Sequence, residues 1–245
     1  MKLSGIDLAW QSEKNTSAIA MGELSGNTLF LEQVYPAVRG IGELTLIIEG
    51  ERDLVGIAID APLIIHNQYG QRECEKQLSR EYGSRKAACH PANLDLYPDP
   101  SSVRLSDILV KRGYRHLQAP NHGMWQIECY PHPAIIEIFG LKERLLYKKG
   151  SVAQKRQGQV RLASSIKTLA NSSVIRLAID PGHNGILEED FIYSLRGKQL
   201  KQNEDALDSV VCLYICSLYA RSVEASSSYG TVKKGYIYVP QLRCV

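Results

Sequence analysis

The chain has 245 residues, 44% of them hydrophobic, and its 29 Lys and Arg against 26 Asp and Glu leave a formal net charge of +3. That length buries a full core in one large domain, ordinary Gly and Pro usage excludes a collagen-like or broadly disordered chain, and so small a charge does not announce a dedicated polyanion binder. No apolar run reaches membrane-spanning length, and the opening Met1-Lys2-Leu3-Ser4-Gly5-Ile6-Asp7 lacks the apolar stretch of a secretion signal, so a cytoplasmic protein without membrane contact is expected.

Residues 3–10 read as a strand, and Thr16 to Leu24 and Thr28 to Val34 as two more, joined by the hairpin signal Ser25-Gly26-Asn27. Ile41 to Gly50 is a short apolar helix. Asp53 to Asp60 is nearly continuous apolar sequence, as in a strand buried on both faces, and Pro62 ends it. Gln71 to Tyr82 is an amphipathic helix stopped by Gly83. The Pro-rich stretch 84–102 is long for a connection and expected to shape access to a site. Ser102 to His116 reads as a helix, Met124 to Tyr130 as a strand, Ala134 to Phe139 as a helix start and Val152 to Leu169 as a long polar helix. Ser172 to Asp180 fits a strand or a helix end. Asp205 to Tyr219 is a strongly apolar helix, and Gly235 to Pro240 is strand-like. Hairpin spacing makes the first three strands antiparallel; helical crossovers make the fourth and fifth parallel to the first. The expectation is one α/β domain over 1–245, with a mixed five-stranded sheet covered by helices and an inserted segment at about 84–118.

Acidic residues fall where such a sheet gathers them. Asp7 lies in the first strand between Ile6 and Leu8, where an unpartnered charge is costly, and Asp60 ends the fourth strand. Asp205 and Asp208, at i and i+3, share one face at the start of the last long helix. Glu128 closes the fifth strand in Glu128-Cys129-Tyr130-Pro131-His132-Pro133, as a further ligand, an orienting group or a brace for an arginine. Carboxylates packed together raise one another's pKa unless a cation neutralises them. All-oxygen donors suit Mg²⁺ or Mn²⁺, and two such ions about 3.5–4 Å apart can activate a water for phosphodiester hydrolysis.

Between Lys142 and Lys167 eight basic residues face a single acid, Glu143. Lys148, Lys149, Lys155 and Arg156 are therefore candidates for the phosphate backbone of DNA or RNA. His90, His132 and His183 sit in loops beside Pro or Gly and read as ordinary loop histidines. The six cysteines lack Cys-x-x-Cys spacing and read as small buried hydrophobes.

Gly5-Ile6-Asp7, Ala58-Ile59-Asp60 and Asp205-Ala206-Leu207-Asp208 resemble the acidic motifs of RuvC-type Holliday-junction resolvases, with Asp60 where resolvases use Glu. Over nearly the whole chain the sequence resembles the family of predicted RNase H-like nucleases. The stretches that carry this are Gly5-Ile6-Asp7, Ile59-Asp60-Ala61-Pro62-Leu63, Arg72-Glu73-Cys74-Glu75, Glu128-Cys129-Tyr130-Pro131, Asp205-Ala206-Leu207-Asp208 and Gly235-Tyr236-Ile237-Tyr238-Val239-Pro240. The resemblance implies an RNase H-like fold and a metal-dependent nuclease. Asp7 is then the central ligand, Asp60 the second, and Asp208 with Asp205 the helix ligands; the resolvase likeness further implies a homodimer. Two other functions use the same residues: a phosphotransferase or hydrolase of a small phosphorylated molecule, and a non-catalytic nucleic-acid-binding protein with a degenerate site.

Overall fold

The structure, a computed structural model, describes residues 1–11, 15–180, 185–222 and 226–241. Pro181, Gly182, His183 and Asn184, and Cys244, lie outside the described residues. The elements are β1 (Lys2–Asp7), β2 (Thr16–Ser25), β3 (Thr28–Arg39), α1 (Gly40–Gly50), β4 (Leu54–Asp60), α2 (Glu73–Tyr82), α3 (Ser101–Lys111), β5 (Arg115–His116), β6 (Trp125–Glu128), α4 (Pro131–Ile138), α5 (Val152–Thr168), β7 (Arg176–Ile179), α6 (Glu189–Ser194), α7 (Gly197–Ala220), β8 (Ser226–Thr231) and β9 (Gly235–Pro240).

The central sheet has seven strands in the order β5-β6-β4-β1-β2-β3-β7. β2 pairs antiparallel with β1 and β3, and every other pairing in this sheet is parallel. The hairpin turns on Gly26 and Asn27, with Ser25 opposite Thr28 and Gly26 at a φ of +52° that favours glycine. The five expected strands pair with the expected directions, but a count of five is corrected to seven. β5 has only two residues, too few for a periodic signal; it begins after Gly113, at a φ of +99°, has ended the helix expected to run to His116. β7 is four residues long and extends the other edge along Thr28–Leu31 of β3. β8 and β9 form a separate hairpin packed on α2.

Strand alternation divides the core between the two sheet faces. Leu3, Ala20, Ala58 and Ile127 pack toward α7, α4 and α5, whereas Ile6, Ile19, Ile57 and Ile59 pack toward α1 and α3. α7 has 24 residues, about 36 Å at the usual helical rise, and is buried without a break from Asn203 to Leu218. It lies against β1 so closely that a Cβ on Gly5 would come within 1.9 Å of the Leu213 nitrogen and 2.3 Å of the Ser209 oxygen. A residue without a side chain at position 5 is therefore what sets the helix-to-sheet distance.

The helix begins at Gly197, eight residues before Asp205, which corrects the expectation that Asp205 and Asp208 start it. Its polar first turns are tied to α5: Gln159 donates to the Leu200 oxygen at 3.0 Å, and Asn203 donates to Gln159 at 3.0 Å. Tertiary anchoring supplies there what an apolar pattern could not signal. No described helix is long and apolar enough to cross a membrane.

Candidate functional site

Asp7 and Asp60 are direct partners in the parallel register of β1 and β4, at the carboxyl ends of both strands. Alternation points them to the α7 face, in line with Leu3 and Gly5 on β1 and with Ala58 on β4. Asp205 and Asp208 approach from α7, the first 5% exposed and the second fully buried. Asp7 and Asp205 lie side chain to side chain, and Asp7, Asp60 and Asp208 lie close enough to feel one another's charge. The four sequence-designated aspartates are thus brought together.

Burial dominates the titration of Asp7, Asp60 and Asp205. It raises Asp7, with repulsion from Asp208 adding to it and Lys148 opposing it. It holds Asp60 well above the usual carboxylate range against the same lysine. Burial and then the Asp7 charge push Asp205 up to about 8.

Two ammonium groups answer this charge. Lys148 Nζ stands 2.6 Å from Asp208 Oδ2, and Tyr147 donates its hydroxyl to Asp208 Oδ1 at 2.6 Å. Burial works against the Lys148 charge, but Asp208, Asp7 and Asp60 outweigh it and hold its pKa well above the ordinary lysine value. Lys201, one turn before Asp205, ion-pairs with it and reaches Glu204 at 2.8 Å. The loop carrying Tyr147 and Lys148 can lie this close because of Gly158 on α5, where a Cβ would fall 2.0 Å from the Leu146 oxygen.

The expected backbone contacts are partly corrected. Lys148 belongs to the acidic cluster, and Arg156 is spent on the Leu195 oxygen at the end of α6, at 2.5 and 3.1 Å. Lys149 is exposed and Lys155 half-buried. Glu128 stands beside the cluster rather than in it. It is in register with Ile59, one residue short of Asp60, so alternation turns it to the other face. Arg72 holds both its oxygens, at 2.5 and 2.9 Å, and the Leu63 N–H donates to it at 2.8 Å. Arg72 in turn binds Glu75 at 2.8 Å and the Ile64 oxygen at 3.0 Å. Glu128 is the brace, holding the Pro62–Ile64 turn that follows Asp60.

Three clefts open onto the aspartates. One of about 260 Å³ lies between Asp60, His132 and the loop bearing Arg144, Lys148 and Lys149. One of about 150 Å³ joins Asp60 to Trp10, Cys89 and Ile237. The third, about 170 Å³, joins Asp7 and Asp205 to Lys198 and Lys201. His90 and Tyr130, on the 84–102 stretch and after β6, line the two clefts at Asp60. Cys129 and Cys212 touch at 3.6 Å beneath the cluster as free buried thiols.

Among the described residues no three His, Cys, Asp or Glu side chains stand preset around one point as a cation cage. The donors nevertheless fit a hard divalent cation in kind. All are carboxylate oxygens, and Asp208 Oδ2, wholly buried, has no hydrogen bond and only the ammonium contact of Lys148. Sequence reading missed this role of Lys148 and the part of Tyr147. Lys201 was readable, since it precedes Asp205 by four residues.

The fold and this edge define an α/β protein with a carboxylate-lined cleft at the carboxyl ends of its parallel strands, where open sheets of this class place ligands. Residues 5–226 match the family described as "Protein of unknown function (DUF429)", and the chain belongs to that family. No curated protein and no solved structure matches it.

Proposed function

We propose that the protein is a divalent-metal-dependent nuclease of RNase H-like fold that hydrolyses phosphodiester bonds of DNA or RNA. The observation that carries this reading is the pairing of Asp7 with Asp60 on adjacent parallel strands, opposite Asp205 and Asp208 of α7. The order β3-β2-β1-β4-β6, with β2 alone reversed, supports the fold that the sequence resemblance implies.

Asp7, Asp60, Asp208 and Asp205 would hold Mg²⁺ or Mn²⁺. When bound, the cation supplies water activation and charge neutralisation at the scissile phosphate. The chain's own residues prepare for it. Gly5 fixes the distance between the strand and helix carboxylates, and Tyr147 orients Asp208. Lys148 and Lys201 keep the cluster from repelling itself apart while no cation is present. The Glu128–Arg72–Glu75 network fixes the turn behind Asp60.

The test is cleavage of single strands, duplexes, hybrids, junctions and RNA by the purified protein with Mn²⁺. Cleavage should disappear in Asp7→Asn and Asp60→Asn proteins that fold normally. A wild type that cuts nothing in this panel overturns the reading.

A further inference from the structure

The segment after α2 and the loop after α4 bring together cations of two kinds. Arg85 is paired with Glu137 at 2.5 Å, and Lys86 with Glu143 at 2.6 Å. Lys148 is committed to Asp208. Among the described residues, Arg144 and Lys149 have no carboxylate partner, and Arg144 Nε is buried without a hydrogen bond. Both line the cleft of about 260 Å³ that ends on Asp60.

His132 lines the same cleft. Its ring is clamped edge-on between Tyr130 and Tyr147, at centroid distances of 5.6 and 5.4 Å, and its buried Nδ1 has no hydrogen-bond partner. Burial, and then the charges of Lys148, Arg144 and Lys149, drive its pKa down to about 3. The imidazole is therefore neutral at ordinary pH and can offer one N–H while accepting at its other nitrogen. Two cations without carboxylate partners and an unsatisfied imidazole converge on one cleft, an arrangement suited to a phosphate.

We infer that this cleft seats a phosphate of a single nucleic-acid strand next to the bond over the aspartates, with Arg144 and Lys149 as its charge partners and His132 as a positioning group. This rests on the nuclease reading and adds the substrate's form. Two small clefts, of about 260 and 150 Å³, meet at Asp60, His90 and Tyr130, which suits a strand taken one nucleotide at a time. Tyr130, which borders both, offers a ring on which an unpaired base can stack.

The test is fluorescence anisotropy of a single-stranded oligonucleotide in chelator, where nothing is cut, over a range of salt concentrations. The Arg144→Gln, Lys149→Gln double variant should lower the slope of log K against log salt by about 0.7, the share of one phosphate on a single strand. It should also weaken binding about tenfold or more at low salt. Arg144→Lys with Lys149→Arg should keep the slope, which separates charge from folding. An unchanged slope in the Gln variant overturns the inference, as does equal affinity for a blunt duplex. A thermal shift with inorganic phosphate, on the same proteins, separates this from the nuclease reading. If wild type binds no oligonucleotide yet phosphate stabilises it and not the Gln variant, the nucleic-acid ligand is wrong and the cleft is a free-phosphate site. If neither ligand acts on wild type, the cleft assignment falls as well.

Discussion

Lys148 Nζ stands 2.6 Å from Asp208 Oδ2, so the carboxylate deepest in the cluster is neutralised by a residue from a loop rather than by its own helix. The Lys148 side chain is 26% exposed and that of Asp208 fully buried. Removing one partner of such a pair leaves an uncompensated buried charge, which costs about 3 kcal/mol. Lys148→Met should therefore lower the stability of the chelator-treated protein by about that amount in a urea titration. Mn²⁺ should restore more stability to the variant than it adds to wild type. A variant as stable as wild type without metal shows that the ammonium does not balance the cluster.

Gly5 makes a second prediction about geometry. Gly5→Ala places a methyl group 1.9 Å from the Leu213 nitrogen, and backbone cannot rotate aside as a side chain can. α7 must move away from β1, at a cost of about 1–3 kcal/mol or more. Asp205 and Asp208 move with it. The expected outcome is a lower melting temperature with helix and strand content retained, and loss of Mn²⁺-dependent cleavage. Full cleavage by Gly5→Ala contradicts the role given to the close approach.

The raised aspartates fix a pH dependence. Asp205, at about 8, holds a proton in the folded protein where the unfolded chain has lost it, and the neighbouring Asp7 charge helps to keep that proton in place. Between the ordinary carboxylate range and about pH 8 the folded state binds more protons, so stability falls as pH rises. This contribution is fully present below the ordinary carboxylate range. Thermal melts in chelator should show that fall, and Asp205→Asn should flatten it. A divalent cation displaces the same protons, so the stabilisation by Mn²⁺ should grow with pH. A flat profile in chelator contradicts this electrostatic account.

Glu128 and Asp60 should separate by phenotype. Glu128→Gln leaves the buried Arg72 charge underpaired and should cost about 3–5 kcal/mol in stability. Asp60→Asn removes a charge that burial already disfavours, so it should fold as well as wild type or better, while abolishing cleavage. Chemical denaturation of the two variants distinguishes brace from site.

Much of this was legible in the sequence. Asp7 and Asp60 could be paired because a helical crossover makes the fourth strand parallel to the first, which puts the ends of both on one edge of the sheet. The α7 aspartates were legible as a pair by their i, i+3 spacing. The helix start was not, because residues 197–204 carry a single apolar side chain, Leu200, and Gln159 ties them in place. Nor could sequence assign Lys148, whose place depends on the missing Cβ of Gly158 on another helix. Glu128 looked like a ligand because its strand ends beside that of Asp60. A one-residue offset in register turns it to the other face, and register is a property of the assembled sheet.

The central claim is that Asp7, Asp60, Asp205 and Asp208 form one cation site. Isothermal titration of the wild-type protein with Mn²⁺ near neutral pH, repeated in buffers of different ionisation enthalpy, tests it most directly. The account predicts saturable binding accompanied by proton release, with both lost in Asp7→Asn. Binding that persists unchanged in that variant, or a wild type that takes up no cation, would contradict it.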